Sequence, residues 1–285
     1  MRKKEIDVEF LQEKAAFIRK RICIASNKIG VIHLGGLLSA VDVTVALYYK
    51  YMNFDAKDIY NSYRDKFVLS KGHCGILLYS ILSDLGLYQW DDILVNFKLL
   101  SHQIWQHQDF QKGVEVRTGS LGHGLSIATG MALANRDDGI DSKIYCLVGD
   151  GEMQEGSNWE AIMYAGSHKL SNLVCIVDFN QCTSSFRQGD NIEIDWEQAF
   201  SSFGWNAKRV DGRDMQKISE MLDEVKNNSN GKPTAIIAET NKGHCIEFMQ
   251  GPDWHVGSLD DEKLKEAIQS IDKNTRWGSK NNANI

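Results

Sequence analysis

Two stretches decide the fold of this chain: Ile144-Tyr145-Cys146-Leu147-Val148-Gly149-Asp150-Gly151-Glu152 and Leu173-Val174-Cys175-Ile176-Val177-Asp178-Phe179-Asn180-Gln181-Cys182. Each is an unbroken apolar run that ends in a short polar cluster. Continuous rather than alternating apolar residues are what a strand covered on both faces requires. The runs 66–69 and 234–238 read the same way. Helical spacing of apolar residues occupies 7–25 (Val8, Leu11, Ala15, Ile18, Ile22), 39–51 with Ser39 as its expected cap, and a region near 75–85. Another helix opens near Gly124 with Ile127, Ala128, Met131 and Ala132, and further helical stretches cover 157–169, 213–226 and 260–271. Strand-helix-strand repetition of this kind predicts an α/β fold, a doubly wound and mainly parallel sheet with helices on both faces. Ligands of such sheets collect beyond the carboxyl ends of the strands.

Composition narrows the function. Among 285 residues, 38 acidic side chains against 32 basic ones leave a formal charge of −6. Nucleic acid and anionic membranes both need a clustered positive field, so neither is expected as a partner. Apolar stretches are interrupted by His33, Asp42 or Asp84, which argues against a membrane span, and Met1-Arg2-Lys3-Lys4-Glu5 does not read as a secretory signal. The six cysteines form no Cys-x-x-Cys pair and several sit in apolar runs. They read as reduced core residues of a cytoplasmic protein. Only two prolines occur and no linker-like segment is visible, so residues 1–285 are expected to form one domain with a frayed Asn-rich tail at about 275–285. The Lys/Arg-containing stretch 14–21 is expected to be the solvated face of the first helix.

The two deciding stretches flank one helix and make one right-handed β-α-β unit, which sets their ends side by side. Asp150 and Asn180 then supply two hard oxygen donors converging on one point. Mg²⁺ favours few protein oxygens with positions left for phosphate and water; Ca²⁺ or Mn²⁺ would serve similarly. The glycines around Asp150 let backbone N–H groups approach an anion closely. A metal-bridged diphosphate is the chemistry this pattern suggests. The competing reading, an ordinary Asp-Gly turn, accounts for Gly149-Asp150-Gly151 but not for Asn180 at the next strand end. The other glycine cluster, Gly119-Ser120-Leu121-Gly122-His123-Gly124, has no strand leading into it, unlike a dinucleotide-binding fingerprint.

With Asp150 and Asn180 in place, the chain resembles the transketolase family. The blocks that carry the resemblance are His33-Leu34-Gly35-Gly36, Phe67 through His73, Gly113 through Gly124, Gly149 through Gly156, and Trp254-His255. They run in the family's order over about residues 10–260 and match its N-terminal, diphosphate-binding (PP-type) domain. The resemblance implies thiamine diphosphate as cofactor, with Asp150, Asn180 and the Cys182 carbonyl holding the metal. Gly149, Gly151 and Glu152 would border the diphosphate, and Gly119 and Leu121 the aminopyrimidine. His73, His255 and Lys242 would lie beside the cofactor, His33 on the sugar, and Glu155 at a subunit junction. Where the family usually has Gly-His-Pro, this chain has Gln106-His107-Gln108, so His107 is the assigned counterpart and His102 its competitor.

A lone histidine is more often structural than catalytic, because function needs convergent partners. His168 and His102 take that reading, and His123 is expected only to position its turn. His33, His73 and His255 each fall in a glycine-adjacent loop, where an imidazole can exchange protons with sugar hydroxyls near neutral pH. The resemblance implies transfer of a two-carbon ketol unit from a ketose, or ketose phosphate, to an aldose. It also implies a separate C-terminal subunit bringing the pyrimidine-binding domain and its activating glutamate, in an α2β2 assembly. Two alternatives are the α subunit of a thiamine-dependent 2-oxoacid dehydrogenase and a non-catalytic homologue that only binds the cofactor.

Overall fold

The Asp7 side chain accepts the Phe10 amide at 2.9 Å and starts the long helix α1 (Val8–Ile29). The computed structural model describes residues 7–99, 112–184, 186–187, 194–227 and 230–275. Helices α2 (Leu34–Ser39) and α3 (Val41–Ala46) follow, the latter running into a π-helical turn at Leu47–Tyr51. Strand β1 (Lys66–Leu69) leads through a short 3-10 turn into α4 (Gly75–Asp84) and α5 (Trp90–Leu99). Next come α6 (Gly124–Asp137), β2 (Ile144–Gly149), α7 (Gly156–Ser167) and β3 (Leu173–Phe179). A small antiparallel ribbon, β4 (Cys182–Thr183) with β5 (Phe186–Arg187), precedes α8 (Trp196–Ser202). The chain continues through β6 (Asn206–Asp211), α9 (Met215–Asn227), β7 (Thr234–Glu239) and α10 (Asp261–Asn274).

The main sheet has the order β1-β2-β3-β7-β6 and every pairing in it is parallel. Strand residues alternate between two cores, which explains why the runs are apolar throughout. Tyr145, Leu147, Val174, Ile176, Ile236 and Ala238 pack with α1, α3, α4 and α9. Ile144, Cys146, Val148, Cys175, Val177 and Ile237 pack with α6, α7 and α8. The β2–β3 crossover α7 and the β6–β7 crossover α9 therefore cover opposite faces, as the doubly wound reading requires. Each of these strand residues is at most 2% exposed, and burying one such side chain stabilises the fold by roughly 1.5–3 kcal/mol.

Three expectations need correction or addition. Ser39 does not start a helix: it is the last residue of α2, and its hydroxyl is spent on the Gly36 carbonyl and on Asp178. Nor are residues 14–21 a solvated face. Helix α1 is enclosed by α3, α4, α5, α9 and α10, so its cations turn inward onto partners. Arg19 pairs with Asp42, Lys20 with Asp272 at 2.7 Å, and Lys14 with Asp84 at 2.6 Å. Strand β6 escaped the sequence reading because Asn206-Ala207-Lys208-Arg209-Val210-Asp211 lies at the sheet edge, where only part of its surface is covered. Helices α5 and α8 were likewise not anticipated. The six cysteines are buried and unbridged, and no described helix is long and apolar enough to cross a membrane. The expected tail lies outside the described residues from 276 onward.

Candidate active site

Residues at the carboxyl ends of four strands converge: Ser70 and Lys71 after β1, Asp150 after β2, Asn180 after β3, and Thr240 to Lys242 after β7. Parallel pairing of Gly149 with Asp178 puts Asp150 and Asn180 at neighbouring tips. The Asp150 carboxylate is buried and accepts the Gly151 amide at 2.8 Å and the Gln181 amide at 2.7 Å, closing both tips together. Asn180 is also buried, its Oδ1 accepting the Cys182 amide at 3.1 Å.

The predicted histidines come together. His33 lies 4.9 Å from His73 and 5.2 Å from His255, centroid to centroid, while His73 and His255 are 6.3 Å apart. A two-residue antiparallel bridge does much of this: Ile32 and Gly257 exchange backbone hydrogen bonds, both 2.9 Å, setting His33 against His255. Gly35 is needed at the next step, since an added Cβ would meet Lys242 Cγ at 2.6 Å and the Trp254 carbonyl at 2.7 Å. The Lys242 ammonium donates to the Ser184 carbonyl at 2.6 Å and to His255 Nδ1 at 3.1 Å. An ammonium has no lone pair, so His255 Nδ1 accepts and the ring proton sits on Nε2.

Burial, then Lys242 and His33, hold His255 down at about 4, and burial with Lys71 and His33 holds His73 well below the usual imidazole range. Both are neutral at physiological pH, the form that accepts a proton. Outside the cluster, burial beside Arg19 also lowers His244 to about 4. The unfolded chain takes up protons near 6.5 while native His244 and His255 do not until about 4. Stability is therefore expected to fall as pH drops through that window, by at most about 1.4 kcal/mol per pH unit per group and less for half-exposed His255. Melting curves between pH 7.5 and 4.5 check this; His244→Gln should flatten the acid limb, and an unchanged limb would refute the assignment.

Glu152 ties the site's loops together. It is buried, and its Oε1 accepts the Gly122 amide at 2.9 Å and the Ser70 hydroxyl, its Oε2 the Gly149 amide at 3.1 Å. This one carboxylate joins the Gly119–Gly124 loop to the β1 and β2 ends, so its oxygens are spent on the protein rather than turned toward a diphosphate. Gly72 completes the contact, since a Cβ there would stand 2.7 Å from the Gly119 amide nitrogen. Gly119 is thereby packed against Gly72, the residue before His73. Glu155 is exposed at the start of α7, next to Gly122. His168 stays a surface residue stacked on Tyr164 at 3.9 Å, and the His123 side chain is exposed at the start of α6. His102 and His107 lie outside the described residues.

Sequence reading missed Lys71 and Asp178. Lys71 Nζ meets Asp178 Oδ2 at 2.5 Å, with side chains 2% and 0% exposed. Two charged residues at the ends of buried runs were the available signal. The donor set suits a divalent cation with a diphosphate. Among the described residues no cluster of three His, Cys, Asp or Glu could hold a metal by itself. Asp150 and the Asn180 amide could supply two oxygen donors of a set that phosphate oxygens and water would complete. Burial and the nearby Asp178 carboxylate push Asp150 up to about 7, a surplus of buried negative charge that a cation would relieve.

A family model described as the transketolase thiamine diphosphate binding domain matches residues 12–280. The chain belongs to this family. It is 36% identical over 270 residues to one of the subunits of apulose-4-phosphate transketolase from Actinobacillus succinogenes, covering 92% of this chain and 95% of that protein. To the 6-deoxy-6-sulfo-D-fructose transketolase subunit of a Clostridium species it is 35% identical over 277 residues, covering 96% and 99%. The crystal structure of transketolase from Campylobacter jejuni superposes with a TM-score of 0.83 at 31% identity, over 93% of this chain but 43% of that one. The match is thus to whole subunits of divided transketolases and to less than half of an undivided transketolase. Membership in this family selects transketolase over the 2-oxoacid dehydrogenase alternative.

Proposed function

We propose that this chain, as one domain, is the diphosphate-binding N-terminal subunit of a split transketolase that works with a separate C-terminal subunit in the cytoplasm. The observation that carries this reading is the convergence of His33, His73, His255 and Lys242 beside the tips that bear Asp150 and Asn180. Relatives matched over nearly their full length are themselves named transketolase subunits.

Asp150, Asn180 and the Cys182 carbonyl would hold Mg²⁺, or Ca²⁺ or Mn²⁺ in its place, against the diphosphate, with Gly149 and Gly151 beside it. Gly119 and Leu121 would border the aminopyrimidine through the loop that Glu152 fixes. When bound, thiamine diphosphate would supply the carbon nucleophile needed for ketol transfer. His255, its proton held on Nε2 by Lys242, and His33 exchange protons with the sugar hydroxyls, while neutral His73 bounds the reacting end. His107 is the remaining sugar-side candidate. The substrates on this reading are sugars or sugar phosphates. Glu155 would face a subunit junction in an α2β2 assembly; its exposure, and that of Ile127, Met163 and Tyr164 on the adjoining α6 and α7, support a covered surface there.

The test is reconstitution. Ketol transfer should be negligible for the purified chain with thiamine diphosphate and Mg²⁺ and should appear on adding the C-terminal subunit. Full turnover by the chain alone would overturn the split reading. Calorimetric cofactor binding by the pair without any turnover would instead make it a binding homologue.

A further inference from the structure

Asp178 is the penultimate residue of β3, two residues before Asn180, with no exposed surface. Its Oδ2 accepts from Lys71 Nζ at 2.5 Å and from the Ser39 hydroxyl at 2.6 Å; its Oδ1 accepts from the Thr240 hydroxyl at 2.5 Å. Lys71 also reaches the Gly36 carbonyl at 3.1 Å. One carboxylate therefore joins the ends of β1, β3 and β7 to the glycine-rich helix α2 that follows His33.

This arrangement has a chemical consequence for Asn180. An ionised carboxylate only accepts hydrogen bonds. The Ser39 hydroxyl shares its one proton between Asp178 at 2.6 Å and the Gly36 carbonyl at 3.2 Å, so toward Asn180 it too can only accept. The Asn180 Nδ2 group points at both acceptors, at 3.3 Å to Ser39 Oγ and 3.4 Å to Asp178 Oδ2. The amide is thereby turned so that Oδ1 faces the Cys182 amide and the site. Turned the other way, Asn180 would offer a cation two N–H groups. From this we infer that Asp178 is a positioning residue: acting with Ser39, it fixes the flip of the Asn180 amide and presents an oxygen donor to the metal. The inference rests on the reading of Asp150 and Asn180 as metal ligands. Outer partners of this kind typically change metal affinity by about 10–100-fold when removed.

The experiment measures the Mg²⁺ concentration that half-saturates thiamine diphosphate binding, by calorimetry on the chain reconstituted with its C-terminal subunit. Asp178→Asn would face Asn180 with an amide able to donate, and should raise that concentration at least tenfold. Ser39→Ala leaves the Lys71–Asp178 ion pair intact and should raise it several-fold with little change in the melting temperature of the cofactor-free chain. It keeps the test decisive if Asp178→Asn fails to fold. Ser39→Thr, which retains the hydroxyl, should restore Mg²⁺ half-saturation toward wild type. A merely structural role would move the melting temperature and leave the Mg²⁺ requirement alone; that result overturns the inference. If the wild-type pair shows no Mg²⁺-dependent binding at all, the reading of the site fails, and the inference with it.

Discussion

Asp150→Asn is expected to lower thiamine diphosphate affinity of the reconstituted enzyme at least ~100-fold in the presence of Mg²⁺, beyond the range found for residues that only support a ligand. Ketol transfer should fall with it at any practical cofactor concentration. The cofactor-free chain should behave differently. Buried Asp150 is held up at about 7, so at neutral pH its charge opposes folding; that cost is present above the native value and disappears as pH falls toward the unfolded range near 3.8. Asparagine removes the charge but also one acceptor for the Gly151 and Gln181 amides. The two effects offset, and the melting temperature without cofactor should shift by no more than a few degrees. Calorimetry beside a thermal melt checks both halves. A variant that bound cofactor and Mg²⁺ like the wild type would remove Asp150 from the metal site.

The second large effect lies away from the chemistry. Gly166 sits in α7 against the chain leaving α8, and an added Cβ would stand 1.8 Å from the Phe203 carbonyl oxygen, 3.0 Å from its carbon and 3.2 Å from Trp205 Cδ1. The nearest atom is backbone, so no rotamer relieves the clash. Gly166→Ala should force α7 off the sheet and destabilise the chain by roughly 3–5 kcal/mol, a drop in melting temperature on the order of 10 °C. Gly130, on the exposed side of α6, has nothing within 4 Å of its added Cβ. Gly130→Ala should therefore stabilise by about 0.5–1 kcal/mol through helix propensity. Similar melting temperatures for the two variants would contradict the packing described for α7.

These contrasts also explain what could be read in advance. Strands β2 and β3 were legible because both faces are covered, leaving unbroken apolar runs; β6 was not, because at the sheet edge Lys208 and Arg209 are tolerated. The helix spacing around Val8 to Ile22 holds, but local periodicity sends Arg19 and Lys20 to solvent. Their partners Asp42 and Asp272 are remote in sequence and invisible to it. The same remoteness hid Lys71 and Asp178, paired across 107 positions. That Asp150 and Asn180 sit at neighbouring tips was legible from the two strand ends alone. The histidine triad was singled out through family resemblance, and its closeness emerged only with the Ile32–Gly257 bridge. Glu152 was legible as part of the right loop but not as its tie, since no pattern in Gly149 to Glu152 shows which amides a carboxylate will collect.

That bridge carries a consequence for biosynthesis. Because His33 is seated by the hydrogen bonds between its neighbour Ile32 and Gly257, a growing polypeptide has His33 exposed well before the segment that secures it leaves the ribosome. At ~5–20 residues per second the interval is roughly ten to fifty seconds. From the emergence of Asn180 until Gly257 follows, a nascent chain carries the β2 and β3 tips without the completed imidazole cluster. Assembly of the three imidazoles is thereby deferred until residue 257 has emerged, when nearly all of the sheet and its helices are already available to pack around them.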